Sequence, residues 1–231
     1  MRIARLGLVA GACVLLVLVP SGCSSGATSP PTDPLVVVAV DCSGSVQGQQ
    51  KDWIQAILGI AAKTLLQERV LRVGWFAGER TGVHWLAPQG GQALGPITGG
   101  EIERRRIRTE ETENLRPLLE RELQVKPVPG TDWLSALEAA ANQQGVHSVY
   151  LFSDLVQQAE GIDLTQRKTT NQIGAIAHEW APRLMQLQGR VVVSVGGGQK
   201  LGGSVPDTQG LELFRDLAQL VHFHPEILST L

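Results

Sequence analysis

The sequence is short of the residues that build disulfides, zinc sites and nucleotide loops. It has three cysteines, Cys13, Cys23 and Cys42. The first two fall in the N-terminal segment, so Cys42 alone stands in the part long enough to fold, and no intramolecular bridge can form there. His222 and His224 stand two apart. No cysteine or further histidine pattern accompanies them, so they read as surface or packing residues on a final edge strand rather than zinc ligands. Gly196-Gly197-Gly198 lacks both the Gly-x-Gly-x-x-Gly spacing and a following Lys-Ser or Lys-Thr, which leaves a turn in place of a phosphate loop. An excess of charge is missing too. Twenty basic residues against 22 acidic ones give a formal charge of −2, a balance that does not invite nucleic acid. Arg104-Arg105-Arg106 with Arg108 is followed at once by Glu110, Glu111 and Glu113 and reads as a solvated helix face. No internal repeat is visible.

The apolar stretch Leu6 to Val19 is about fourteen residues long, short of the roughly twenty a spanning helix needs. With Arg2 and Arg5 before it, residues 1–22 read as a secretory signal. Pro20-Ser21-Gly22-Cys23 then resembles a bacterial lipobox, which makes Cys23 the lipidated N-terminus of the mature chain. Residues 23–34 follow as a tether. Ser and Gly keep its first half flexible, and Pro30, Pro31 and Pro34 stiffen its second. The remaining residues, 35–231, suffice for one sizeable α/β core. Without Arg2 and Arg5 the formal charge is about −4. The expected location is a bacterial membrane, with the domain lipid-anchored and facing the extracytoplasmic side.

The most informative feature is the run Leu35-Val36-Val37-Val38-Ala39-Val40 followed directly by Asp41-Cys42-Ser43-Gly44-Ser45. An apolar run without polar alternation predicts a central parallel strand, buried on both faces. At the C-terminal end of such a strand, where open α/β sheets bind ligands, the chain turns through one carboxylate and two hydroxyls. These hard oxygens suit Mg²⁺ or Mn²⁺ rather than softer metals. Two more pieces lie downstream. Gly130-Thr131-Asp132 precedes an apolar-periodic helix (Trp133, Leu134, Leu137, Ala140, Ala141), and Val149-Tyr150-Leu151-Phe152 is a second buried strand ending in Ser153-Asp154. Parallel strands joined by helices bring such ends to one edge. Cys42 occupies the variable position of the motif and reads as a small core hydrophobe. Thr131 has a second reading as a helix N-cap, with Asp132 in the first turn.

Together these pieces resemble a von Willebrand factor type A domain with a metal-ion-dependent adhesion site. The similarity runs over roughly residues 35 to 224. The resemblance implies a Rossmann-like, doubly wound α/β fold with a mostly parallel sheet. It also implies a metal site in which Ser43, Ser45 and Thr131 ligate through hydroxyl oxygens, while Asp41 and Asp154 act largely through bound water. The third element departs from the family habit: Ser-Asp-Gly is common there, and this chain has Ser153-Asp154-Leu155.

Two functional classes follow. In the first, a binding module, the metal keeps an open position that an Asp or Glu of a protein partner completes; Mg²⁺ prefers octahedral oxygen and keeps waters that a carboxylate can replace. The second is a Mg²⁺-dependent phosphohydrolase resembling the haloacid dehalogenases. Those resemble Asp-x-Asp-x-Thr after the first strand, and Ser43 stands where the second, acid/base carboxylate is needed. The expectation is therefore a non-enzymatic binding domain, its ligand chosen by loops around Gly90–Gly100 and Gln157–Lys168. The remaining pattern predicts helices over Val46–Gln67, Glu113–Leu123, Asn171–Gln188 (with Pro182 as a kink) and Leu211–Val221. It predicts strands over Val70–Ala77, Val83–Leu86 and Arg190–Val195.

Overall fold

Leu35–Asp41 forms β1, buried at every position, as a strand with helices on both faces requires. The computed structural model describes residues 34–231, apart from 47, 68, 79, 87–98, 124–128, 160, 197–207 and 229–231. Cys23, the signal segment and most of the tether therefore lie outside the described residues, as do most of Gly90–Gly100 and Gly197-Gly198.

After β1 a 3-10 turn, Gly44–Val46, leads into α1, Gln50–Leu66. β2 (Val70–Ala77) and β3 (Arg80–Trp85) follow, then α2 (Glu101–Leu123) and α3 (Trp133–Ala141). β4 is Val146–Phe152, and β5 (Gln158–Ala159) with β6 (Ile162–Asp163) makes a small separate hairpin. α4 (Thr170–Trp180) runs into a second 3-10 segment, Ala181–Leu187. β7 (Val191–Val195), α5 (Thr208–Val221) and β8 (His224–Leu228) complete the chain.

The six-stranded sheet has the order β3-β2-β1-β4-β7-β8. β3 pairs antiparallel to β2, and every other pairing is parallel. This is the Rossmann-like, doubly wound α/β fold predicted above. The chain builds outward from β1 through β2 to β3, then returns to the other side of β1 and builds outward through β4, β7 and β8. The direction reverses between β1 and β4, and a crevice at the strand C-termini is expected at that switch point.

Two apolar clusters sandwich the sheet. One joins Val37, Ala39, Val149 and Leu151 to Trp133, Leu137, Trp180, Phe214 and Leu217 from α3, α4 and α5. The other joins Val36, Val38, Val40 and Trp75 to Ile54, Ile57, Ala61, Leu115 and Leu119 from α1 and α2. At about 25 cal/mol per Å² of apolar area, each fully buried Leu, Ile or Phe contributes about 2–3 kcal/mol. All eleven long elements serve these two clusters, so residues 34–231 hold a complete core of their own.

Several expected elements need correction. α2 begins at Glu101, twelve residues before the predicted start at Glu113. Its first turns bury nothing; Leu115, Leu119 and Leu123 alone are buried, so hydrophobic periodicity appears only in the second half. Pro182 does more than kink the helix expected over Asn171–Gln188. α4 ends at Trp180, and Pro182 opens a 3-10 segment, because its ring forbids the next α-helical hydrogen bond. α1 starts at Gln50 and not Val46, the intervening residues forming the 3-10 turn. His222 does not share a strand with His224. It sits at the end of α5 with φ 60°, its carbonyl accepting from the Gly189 N–H at 2.9 Å, and β8 starts two residues later.

Candidate functional site

Asp41 closes β1, opposite Phe76 of β2, and its side chain is fully buried. Its Oδ1 accepts the Ser43 backbone N–H at 2.8 Å, which folds the chain back in a tight turn. Its Oδ2 accepts the Ser153 hydroxyl at 2.9 Å, a link across 112 residues from β1 to the end of β4. Ser153 in turn accepts the Leu155 N–H at 3.1 Å. Ser43 is buried and Ser45 exposed, with their hydroxyl oxygens 2.9 Å apart. Asp154, almost buried, accepts the Val156 N–H at 3.0 Å and a hydrogen bond from Ser45. The structure thus brings Asp41, Ser43, Ser45 and Asp154 into one hydrogen-bonded group at the β1/β4 switch point.

Thr131 lies one strand away at the same edge. The loop that carries it is pinned to the end of β2: the Gly78 N–H donates to the Gly130 carbonyl at 3.0 Å. A β-carbon on Gly78 would fall 2.7 Å from the Thr131 nitrogen and 2.4 Å from the Gly130 carbonyl carbon. Gly130 itself has φ 77°, and a β-carbon there would meet the Gln158 carbonyl oxygen at 2.7 Å. Only glycine at both positions allows this approach. Thr131 is 2 % exposed, and its carbonyl accepts the Gln158 N–H at 2.8 Å. The capping reading of Thr131 is corrected. α3 starts at Trp133, and Asp132 is the cap, accepting the Ser135 N–H at 3.1 Å.

Sequence reasoning left out three residues that build this edge. Gln157 is fully buried; its Nε2 donates to Asp132 Oδ1 at 2.9 Å and its Oε1 accepts the Leu134 N–H at 3.3 Å. It holds the start of α3, and so the Thr131 loop, against the segment after Asp154. Ser153 stood beside an assigned residue without a role. Gly78 had no local signal beyond being a glycine after a strand. Leu155, where the family habit is glycine, takes the glycine conformation itself: φ is 63° and the side chain is fully buried in the α3–α5 cluster. Burial of the Leu side chain offsets a backbone cost of about 1–2 kcal/mol.

The electrostatics are one-sided. Asp41 is held at about 7, far above its ordinary 3.8, by burial first and by the Asp154 charge second, against hydrogen bonds from Ser43 and Ser153. Burial also raises Asp154, against hydrogen bonds from Ser45 and Val156. Among the described residues neither carboxylate has a salt-bridge partner, and no group of three or more His, Cys, Asp or Glu side chains converges anywhere. Two buried acids with three neighbouring hydroxyls and no cation make a donor set of hard oxygens lacking a positive charge. That chemistry fits a divalent ion such as Mg²⁺ or Mn²⁺. Cys42 is buried in the α1–α2 cluster, and its thiol is pushed up to about 12 by burial and by Asp41. It stays protonated near neutrality and has no nucleophilic character there.

No protein-family model and no curated protein matches the sequence. Solved structures do resemble the fold. The human COPII-coat protein Sec24c superposes with a TM-score of 0.50 at 12 % identity, over 86 % of this chain and 30 % of that one. The pilus adhesin SpaC from Lactobacillus rhamnosus GG gives 0.46 at 9 % identity, over 84 % and 28 %. Proximal thread matrix protein 1 from the mussel byssus, solved with a zinc-occupied MIDAS motif, gives 0.39 at 13 % identity, over 82 % and 47 %. This chain spans less than half the length of each. The first likeness supports the fold and nothing finer; the other two superpose too loosely to add to it.

Proposed function

We propose that this chain is a metal-dependent binding domain. Asp41, Ser43, Ser45, Thr131 and Asp154 hold one Mg²⁺ or Mn²⁺, and an acidic residue of a protein partner completes its coordination. The observation that carries this reading is the pair of buried carboxylates, Asp41 and Asp154, with no cationic partner among the described residues. When bound, the ion supplies the missing positive charge and a position that an incoming carboxylate can occupy. The chain's own residues do the rest. Ser153 and the Ser43 N–H orient Asp41, the Gly78–Gly130 contact fixes the Thr131 loop, and exposed Gly44 and Ser45 leave the rim open to a partner. Nothing favours the phosphohydrolase reading. The residue two after Asp41 is Ser43, which offers no second carboxylate for leaving-group protonation.

The proposed organisation is a signal segment over residues 1–22, a lipidated tether over 23–34 and the binding domain over 35–231, anchored outside a bacterial membrane through Cys23. Two or three acyl chains suffice for stable residence where one is marginal. Mass spectrometry of the mature N-terminus tests the anchor: a lipid mass on Cys23 supports it, and an unmodified terminus beyond residue 23 refutes it. Partner capture from the native membrane tests the function. Capture should collapse with chelator, return with Mg²⁺ or Mn²⁺, and fall sharply in Thr131→Ala. Capture that survives both treatments would place recognition elsewhere on the domain.

A further inference from the structure

Among the described residues, the large exposed hydrophobics are Leu66 (58 % exposed), Ile102 (87 %) and Met185 (46 %). All three belong to segments at the edge of the sheet opposite the carboxylate pair. Leu66 ends α1, just before the chain enters β2, and Met185 lies in the 3-10 segment that leads into β7. Ile102 is in the first turn of α2, where Glu101, Arg104, Arg105 and Arg108 face Leu65 and Leu66 across a cavity of about 450 Å³. The tether joins the domain at this same edge. The Pro34 carbonyl accepts the Val70 N–H at 3.1 Å, and the Leu35 N–H donates to Gly145 at 2.9 Å, where β2 and β4 begin.

Charge follows the same division. Glu101 pairs with Arg105 and Glu103 with Arg106, so Arg104 and Arg108 leave the first turns of α2 with net positive charge. Farther along the edge, burial and the charges of Arg69 and Arg190 hold His147 below its ordinary range, another sign of positive potential there. The opposite edge carries Asp41, Asp132 and Asp154. The seven residues of β1 separate the two edges by about 23 Å, at roughly 3.3 Å per residue.

A few exposed apolar side chains among arginines suit a bilayer interface. The apolar groups enter the headgroup boundary, and the cations are drawn by anionic lipid. The tether adds the geometric argument: twelve residues extend to about 40 Å at most, so the edge from which it emerges stays close to whatever holds its other end. We infer that this edge, centred on Leu66, Ile102, Arg104 and Arg108, docks on an anionic bilayer surface and turns the Asp41–Asp154 edge outward, toward partners. The outward orientation rests on the anchoring reading; the docking itself does not.

The test uses residues 24–231 without lipid, so a failed anchor cannot masquerade as failed docking. Cosedimentation is measured with vesicles of phosphatidylcholine alone and with added phosphatidylglycerol. Binding is expected only where phosphatidylglycerol is present, unaffected by chelator and weakened by salt. Arg104→Glu with Arg108→Glu should lower it at least tenfold, at about one factor of five per charge removed. Ile102→Ser, at a residue this exposed, should lower it severalfold without disturbing the fold, as circular dichroism will show. Equal sedimentation with both vesicle types, no sedimentation with either, or unchanged binding by the charge-reversed variant overturns the inference. So does capture of an acidic soluble protein by this face in the absence of vesicle affinity.

Discussion

Gly210 of α5 lies so close to the backbone of Leu155 that a β-carbon on it would fall 2.1 Å from the Leu155 carbonyl oxygen. Leu155 follows Asp154 directly and carries the left-handed φ of 63° that the turn requires. α5 thus serves as the backstop of the carboxylate turn, and glycine is the residue that permits the contact. Gly210→Ala should destabilise the domain by about 1–3 kcal/mol, as overpacking does, and weaken metal binding by moving the Asp154 turn. Urea unfolding with and without metal checks both effects.

Leu155 balances strain against burial. Leu155→Gly would relieve about 1 kcal/mol of left-handed strain but lose about 2–5 kcal/mol from the emptied core site. A net loss of about 1–4 kcal/mol in urea unfolding is the expected outcome. A stabilised variant would mean that the turn strains the chain more than its buried side chain contributes.

The buried carboxylates give the metal-free domain an inverted pH response. Asp41 has its folded-state value raised from 3.8 to about 7, so the folded state binds a proton that the unfolded chain releases between those values. The unfavourable contribution is absent below about pH 4 and complete above about pH 7, on the order of 4 kcal/mol. Metal-free stability should therefore fall as pH rises through that window. Asp41→Asn should remove most of the fall and be more stable than the parent above pH 7 without metal. The difference between the two urea-stability profiles in chelator isolates this residue.

Thr131 and Asp132 should separate cleanly by mutation. Asp132→Ala removes the α3 cap and a partner of Gln157, and should cost about 1–2 kcal/mol of stability. Thr131→Ala removes no capping bond, so it should cost less stability and more metal affinity. Parallel urea and metal titrations of the two variants read the split.

These pairs also mark how far the sequence could be read. β1 and its turn were legible because an unbroken apolar run has one common meaning, and because Asp41, Ser43 and Ser45 lie within five residues. Asp154 followed from a second run of the same kind. The cap was misplaced because Thr and Asp both cap helices, and spacing alone does not say which carries the first helical hydrogen bond. Gln157 had no local signature, its partners being 23 and 25 residues away. The first half of α2 escaped because a helix that buries nothing has no hydrophobic period. The Leu155 turn was the reverse case: an unexpected side chain in a conformation the family pattern had pointed to.

The most direct test of the metal reading is a calorimetric titration of Mg²⁺ and Mn²⁺ into the domain near pH 7.5, beside Asp41→Ala. The parent should bind one ion and gain thermal stability with metal concentration, by about 3 kcal/mol at a hundredfold excess over Kd. Asp41→Ala should bind at least tenfold more weakly while remaining folded. No heat of binding in the parent, or equal affinity in the two proteins, would contradict the account.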